Sequence, residues 1–203
     1  MNNQLTLTLV SLLFSLCTIA RAATFTDQAT NLHFPDAIGE WHKTRVTQFP
    51  EKHLGVEIDY QGRGGAIASF YVYSGGASKI STGAENGMVK GEFAVAQREQ
   101  VASMQSRFGN VSKILESNPD VTHQGKRATL LATAYKFTSK RDWLSWIFLT
   151  GYRNRFLKLY YTHPFGNPRT DIPRGQQELR DLILGFLDKN RDNTDAFWMS
   201  PHQ

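Results

Sequence analysis

The stretch ATLLATAYKFTSKRDWLSWIFLTGYRNRFLKLYYTHP, residues 128–164, decides the fold. It contains three runs rich in β-branched and aromatic residues, separated by two polar turns, and no helical period fits it. That pattern predicts a three-stranded antiparallel meander. In the middle run, residues 143–152, alternation puts Trp143, Ile147 and Leu149 on one face and Leu144, Trp146, Phe148 and Tyr152 on the other. Both faces are apolar and need cover, so this is the central strand of a sheet.

C-terminal to the meander, 164–173 is a proline-punctuated loop. A helix follows over 174–188, with Leu179, Leu182, Ile183, Phe186 and Leu187 as its apolar stripe. The tail, 189–203, is polar apart from Phe197, Trp198 and Met199, which are expected to clip onto the body. N-terminal to the meander, 87–108 has a helical period, with Val89, Phe93, Ala96, Val101, Met104 and Phe108 near one face and Gly109 as the stop. A short strand over 111–116 and a polar loop to Lys126 connect this helix to the meander.

Residues 41–49 and 54–61 read as a hairpin around Pro50, Glu51 and Lys52. Placing Val46 opposite Val56 pairs Arg45 with Glu57 and Lys43 with Asp59, so that the charges compensate. Gly62-Arg63-Gly64-Gly65 is the next turn, followed by a third strand to Tyr73. Its glycines resemble a fragment of a phosphate loop, but a strand follows where a phosphate loop would have a helix, so the stretch reads as a turn. The Gly- and Ser-rich connection 74–86 is the longest flexible segment of the body.

The expected fold is therefore α+β: a mostly antiparallel sheet of about six to seven strands with two main helices packed against it. Strand AIASFYVYSGG at 66–76, and FLKLYYTHP at 156–164 leading to helix QQELRDLILGFL at 176–187, give an element order similar to the fold shared by the chloroplast oxygen-evolving-complex protein PsbP and the nuclear transport factor Mog1. The resemblance covers about 41–187 and is architectural. It implies a non-catalytic binding or assembly module and carries over no site residue.

Compartment is legible at the N-terminus. Residues 5–19 form an apolar run of secretory length, too short for a membrane span, and Ala20-Arg21-Ala22 is an A-x-A cleavage site. Met1 to Gln4 contains no Lys or Arg, a departure from the usual pattern; no charged stop-transfer flank follows the apolar run, which argues against an anchoring helix. Cys17 follows bulky Leu16, which disfavours lipidation. Cleavage after Ala22 removes Cys17, the one cysteine, so the mature chain has neither disulfide nor thiolate. The periplasm of a bacterium, or secretion from it, is the expected location. The organisation is then a cleaved signal at 1–22, a lead-in at 23–40, one α+β domain at 41–188 and a tail at 189–203.

Hydrophobic residues at 40% and charged residues at 20% are ordinary globular values. The net charge of +5, about +4 without Arg21, favours encounter with anionic partners. An exported protein is not expected to meet nucleic acid. Peripheral membrane contact fits the charge, and a monomer is the expected state.

Catalytic signatures are missing: no G-x-S-x-G, S-x-x-K or H-E-x-x-H occurs. The histidines, His33, His42, His53, His123, His163 and His202, have no metal-ligand spacing, so neither a metal nor another cofactor is expected. Glu57 and Asp59 share a strand face, where charge pairing with Lys43 and Arg45 is the simpler role than acid/base work. For anion or partner contact the candidates are Lys140, Arg141, Arg153, Arg155, Lys158 and Tyr161, from the two meander turns and the last strand. Since the two turns lie at opposite ends of the middle strand, these residues do not form one patch. Two functions remain in view. One is an exported non-catalytic module that binds a protein or an anionic envelope component. The other is a small periplasmic hydrolase-like enzyme with its pocket near 74–86.

Overall fold

A computed structural model describes residues 24–123 and 126–196. The expected signal at 1–22 and the expected clip of Phe197, Trp198 and Met199 lie outside the described residues. The meander consists of β10 (Leu131–Thr138), β11 (Asp142–Tyr152) and β12 (Arg155–Pro164), numbered in chain order with the strands named below. Its β11–β12 turn is two residues long, with Arg153 and Asn154 both at positive φ, 43° and 62°. That is the hairpin turn whose twist matches the flanking strands. Residues 144–152 of β11 are all buried, as a strand covered on both faces must be.

Before the meander come β1 (Phe25–Asp27), β2 (Leu32–Phe34), β3 (Ala37–Ile38), β4 (Trp41–Gln48), β5 (Val56–Gln61), β6 (Ile67–Tyr73), α1 (Gly87–Phe108), β7 (Val111–Ser117), β8 (Asp120–His123) and β9 (Lys126–Thr129). After it comes α2 (Pro168–Lys189). The main sheet has eight strands in the order β3-β4-β5-β6-β12-β11-β10-β7, every neighbouring pair antiparallel. The expected six to seven strands thus become eight. The addition is two-residue β3, too short to show a period, which pairs Ile38 with Trp41.

Each helix covers its own face. Under α1 lie Tyr73, Tyr135, Ile147, Leu149 and Phe156; under α2 lie Phe70, Leu144, Trp146, Phe148, Leu159 and Tyr161. Residues 24–38 are built into the second layer, because Leu32, Phe34 and Ile38 are at most 2% exposed in that core. Phe34 packs on Phe186 of α2 with ring centroids 5.2 Å apart.

Three local expectations are corrected. In the first hairpin Val46 pairs with Ile58 and Arg45 with Asp59, two residues away from the charge-compensating register. A bulge between Lys43 and Arg45 then turns Lys43 to the other face, where its ammonium lies 3.0 Å from Asp36 with a side chain 1% exposed. Helix α2 starts at Pro168, not Arg174. Pro168 suits a first-turn position, Asn167 caps it by accepting from Arg169 N–H, and Asp171 accepts from the backbone of Gly166 and Asn167. Pro173, read as a loop marker, lies inside the helix. Finally, the expected polar loop before Lys126 contains β8, which pairs with β9 as a hairpin.

Candidate functional site

A basin of about 340 Å³ opens where four segments meet on the α2 side of the sheet. Its lining includes Arg63 of a 3₁₀ turn (Arg63–Gly65), Arg141 of the β10–β11 turn, His163 and Pro164 at the end of β12, and Arg174 and Glu178 of α2.

The glycine turn brings Arg63 to the basin. Gly64 and Gly65 take φ of 63° and 85°, open to glycine at no steric cost, and Ala66 N–H closes the turn on the Arg63 carbonyl at 3.1 Å. A Cβ on Gly65 would lie 3.4 Å from Nη2 of Arg141, so the turn and that guanidinium are near neighbours. Arg141 stacks over the Trp143 ring, 4.3 Å from its centroid, and has no carboxylate partner among the described residues. Arg174 is held by Asp171 at 2.9 Å and reaches Glu178 at 3.9 Å, one helical turn on. Arg63 pairs with Glu40 at 2.5 Å.

Tyr161 and His163 project from the same face of β12. Tyr161 donates to Glu178 at 2.6 Å, stacks on His163 with centroids 5.2 Å apart, and contacts Trp41 edge-on. Burial pushes its phenol pKa up, reinforced by the bond to Glu178. His163 is 1% exposed, with Nδ1 2.9 Å from the Pro164 carbonyl and Nε2 without a hydrogen-bond partner among the described residues. Nδ1 is then the protonated nitrogen. Desolvation lowers the His163 pKa against the opposing pull of the Pro164 carbonyl, so the ring is neutral at neutral pH. The lining carries three guanidiniums against one carboxylate, Glu178. Such an arrangement can hold a carboxylate, phosphate or sulfate by charge-assisted hydrogen bonds.

The six residues singled out from sequence are spread across the molecule. Arg141 lines the basin, and exposed Lys140 adjoins it in the same turn. Tyr161 acts through Glu178 and does not line it. Arg153 and Arg155 are at the opposite end of β11, where Arg153 donates to the Thr30 carbonyl and Arg155 to the Asn154 carbonyl. Lys158 is no surface contact. It is 8% exposed, under α1, with Nζ 4.8 to 5.1 Å from the ring centroids of Tyr71, Tyr73 and Tyr160. Sequence reading missed Arg63, His163 and Arg174. The glycines flanking Arg63 were a signal, but what they implied was a turn, and nothing local joins that turn to α2.

The acidic pair of the first hairpin is committed. Asp59 binds Arg45 at 2.7 Å and Ser69 at 2.5 Å, and Glu57 accepts from Tyr71 at 2.5 Å. No group of three or more His, Cys, Asp or Glu suited to a metal occurs among the described residues. The 74–86 connection is pinned, with Ile80 N–H bonded to Asn154 Oδ1 at 2.7 Å and Gly83 bridged to Gly151. Its depression is lined by 82–86, where Glu85 pairs with Lys90. No described helix is long and apolar enough to cross a membrane.

No family model matches this chain, and no curated protein matches it. Among solved structures, the chain is similar to a protein of unknown function from Pseudomonas aeruginosa, PA94, over 77% of this chain and 92% of that one, at 14% identity and a TM-score of 0.34.

Proposed function

We propose that this chain is an exported, non-catalytic binding module, of the PsbP/Mog1-like architecture, that engages an anionic group on an envelope component or partner protein through the Arg63, Arg141 and Arg174 basin. One observation carries this reading. Three guanidiniums from segments far apart in sequence converge on one opening, and one of them, Arg141, has no carboxylate partner among the described residues. Arginine clusters of this kind recognise planar and tetrahedral anions.

The test is co-sedimentation of the mature protein with phosphatidylcholine vesicles that contain or lack phosphatidylglycerol, with inorganic phosphate as a soluble competitor. Binding that needs the anionic lipid, falls with salt and phosphate, and is lost in the Arg63→Ser, Arg141→Ser, Arg174→Ser triple variant supports the basin. The Arg153→Ser, Arg155→Ser double variant should retain binding. Absent binding, or equal loss in both variants, overturns the assignment.

A further inference from the structure

A second concavity, on the other flank of α2, lies between that helix and the β8–β9 hairpin. Its volume is about 390 Å³, within the range of small-molecule sites. Trp146 and Phe148 of β11 form its floor, Leu179 and Ile183 one wall, and Val121 and Leu130 the other. Polar groups gather at the opening, among them Gln176, Thr122 and Arg180. A separate void of about 30 Å³ shares Leu130, Phe148 and Ile183 with it and is lined further by Leu157, Phe186 and Leu187. The cleft itself has an exposed polar mouth over a buried apolar floor.

Two donors in this lining lack an acceptor. Trp146 is 3% exposed, and its indole Nε1–H is buried with no hydrogen-bond partner among the described residues. A buried donor without an acceptor is costly, and a ligand oxygen would remove that cost. Arg180 is exposed on α2 and has no carboxylate partner among the described residues. Asp120, the acidic group at the mouth, is bound to Arg127 and Thr129.

We propose that this cleft binds a free medium-chain monocarboxylate. Its carboxylate is taken by Arg180 and the Trp146 indole N–H, and its chain lies along Leu179 and Ile183 against Leu130 and Phe148. Arg180 at the mouth and the apolar lining match a single-chain amphiphile with an anionic head. The cleft does not use Arg63, Arg141 or Arg174, so the proposal is independent of the anion basin.

The experiment is calorimetric titration of the mature protein with decanoate, alongside ¹H–¹⁵N spectra of the tryptophan indole N–H groups. Saturable one-to-one binding, with a shift of the Trp146 indole resonance assigned through Trp146→Phe, is the expected result. Arg180→Ser should weaken decanoate by about tenfold, as loss of a charge-assisted bond does, while affecting decanol little. Ile183→Trp should block both ligands. Arg180 is an exposed helix residue, so its variant remains informative if Trp146→Phe or Ile183→Trp fails to fold. No saturable binding, an unmoved Trp146 resonance, or equal affinity of wild type and Arg180→Ser for decanoate would overturn the proposal. Displacement of decanoate by phosphatidylcholine vesicles at equal chain concentration would overturn it in favour of bilayer lipid.

Discussion

A Cβ at position 175 of α2 would lie 2.3 Å from Nε2 of His163 on β12, so Gly175 is where the helix closes on the sheet. Gly175→Ala should therefore destabilise the protein by about 1–3 kcal/mol through overpacking, although alanine favours a helix. Gly91, in α1, is the control: a Cβ there has no atom within 4 Å, so Gly91→Ala should stabilise by about 0.5–1 kcal/mol. Urea midpoints measure both, and shifts of the same sign would refute the contact argument.

The neutral state of His163 predicts acid sensitivity. Its folded pKa lies below the ordinary 6.5, so between those values the unfolded chain binds a proton that the folded chain refuses. Stability should fall as pH drops below about 6.5, and His163→Gln should flatten this part of the profile. Asp171 acts lower. Backbone N–H groups of Gly166 and Asn167, with Arg174, hold its carboxylate below the usual value, and its contribution is lost only as pH falls beneath about 3.8. Denaturant melts across this pH range separate the two steps.

Lys158 offers a third test. Burial lowers its pKa, with Glu92, Glu99 and Glu57 opposing, and its ammonium contacts three tyrosine rings with no carboxylate at hydrogen-bonding distance among the described residues. Lys158→Met keeps the stem and removes the desolvated charge, and should stabilise by about 1–2 kcal/mol near neutral pH. The gain should shrink as pH rises towards 10.5, because the wild-type folded state loses its proton before the unfolded one. A loss of stability at neutral pH would show that the cation–π contacts outweigh desolvation.

Asn190, 1% exposed, ties 24–38 to the body. Its Oδ1 accepts from His33 N–H at 2.6 Å, and its Nδ2 donates to the carbonyls of His33 and Phe186, each at 2.9 Å. Asn190→Ala leaves these backbone groups unpaired and should cost about 2–3 kcal/mol. Amide exchange should quicken in β1 and β2 more than in β10–β12. Uniform acceleration would argue against a local tie.

Both helices, the central strand and the meander were legible because each repeats a period over enough residues to fix a face, as in Leu144, Trp146 and Phe148 against Trp143, Ile147 and Leu149. Strand β3 has two residues and no period to read. The first hairpin misled because charge pairing fits two registers, Arg45 meeting Glu57 in one and Asp59 in the other, and because no local pattern marks the bulge that buries Lys43 beside Asp36. Sequence marked Arg141 and Tyr161 but also Arg153 and Arg155, since basic residues in turns look alike until the turns are placed.

By itself the sequence determined the class of fold, its central strand and the identity of its two packing helices, because burial periodicity is a local property of the chain. The tertiary structure alone decided that Arg63, Arg141 and Arg174 share a basin and that Lys158 is enclosed by tyrosines. Those outcomes depend on strand order and on the angle at which α2 crosses the sheet. They come from the packing of residues distant in the chain, which no local pattern encodes.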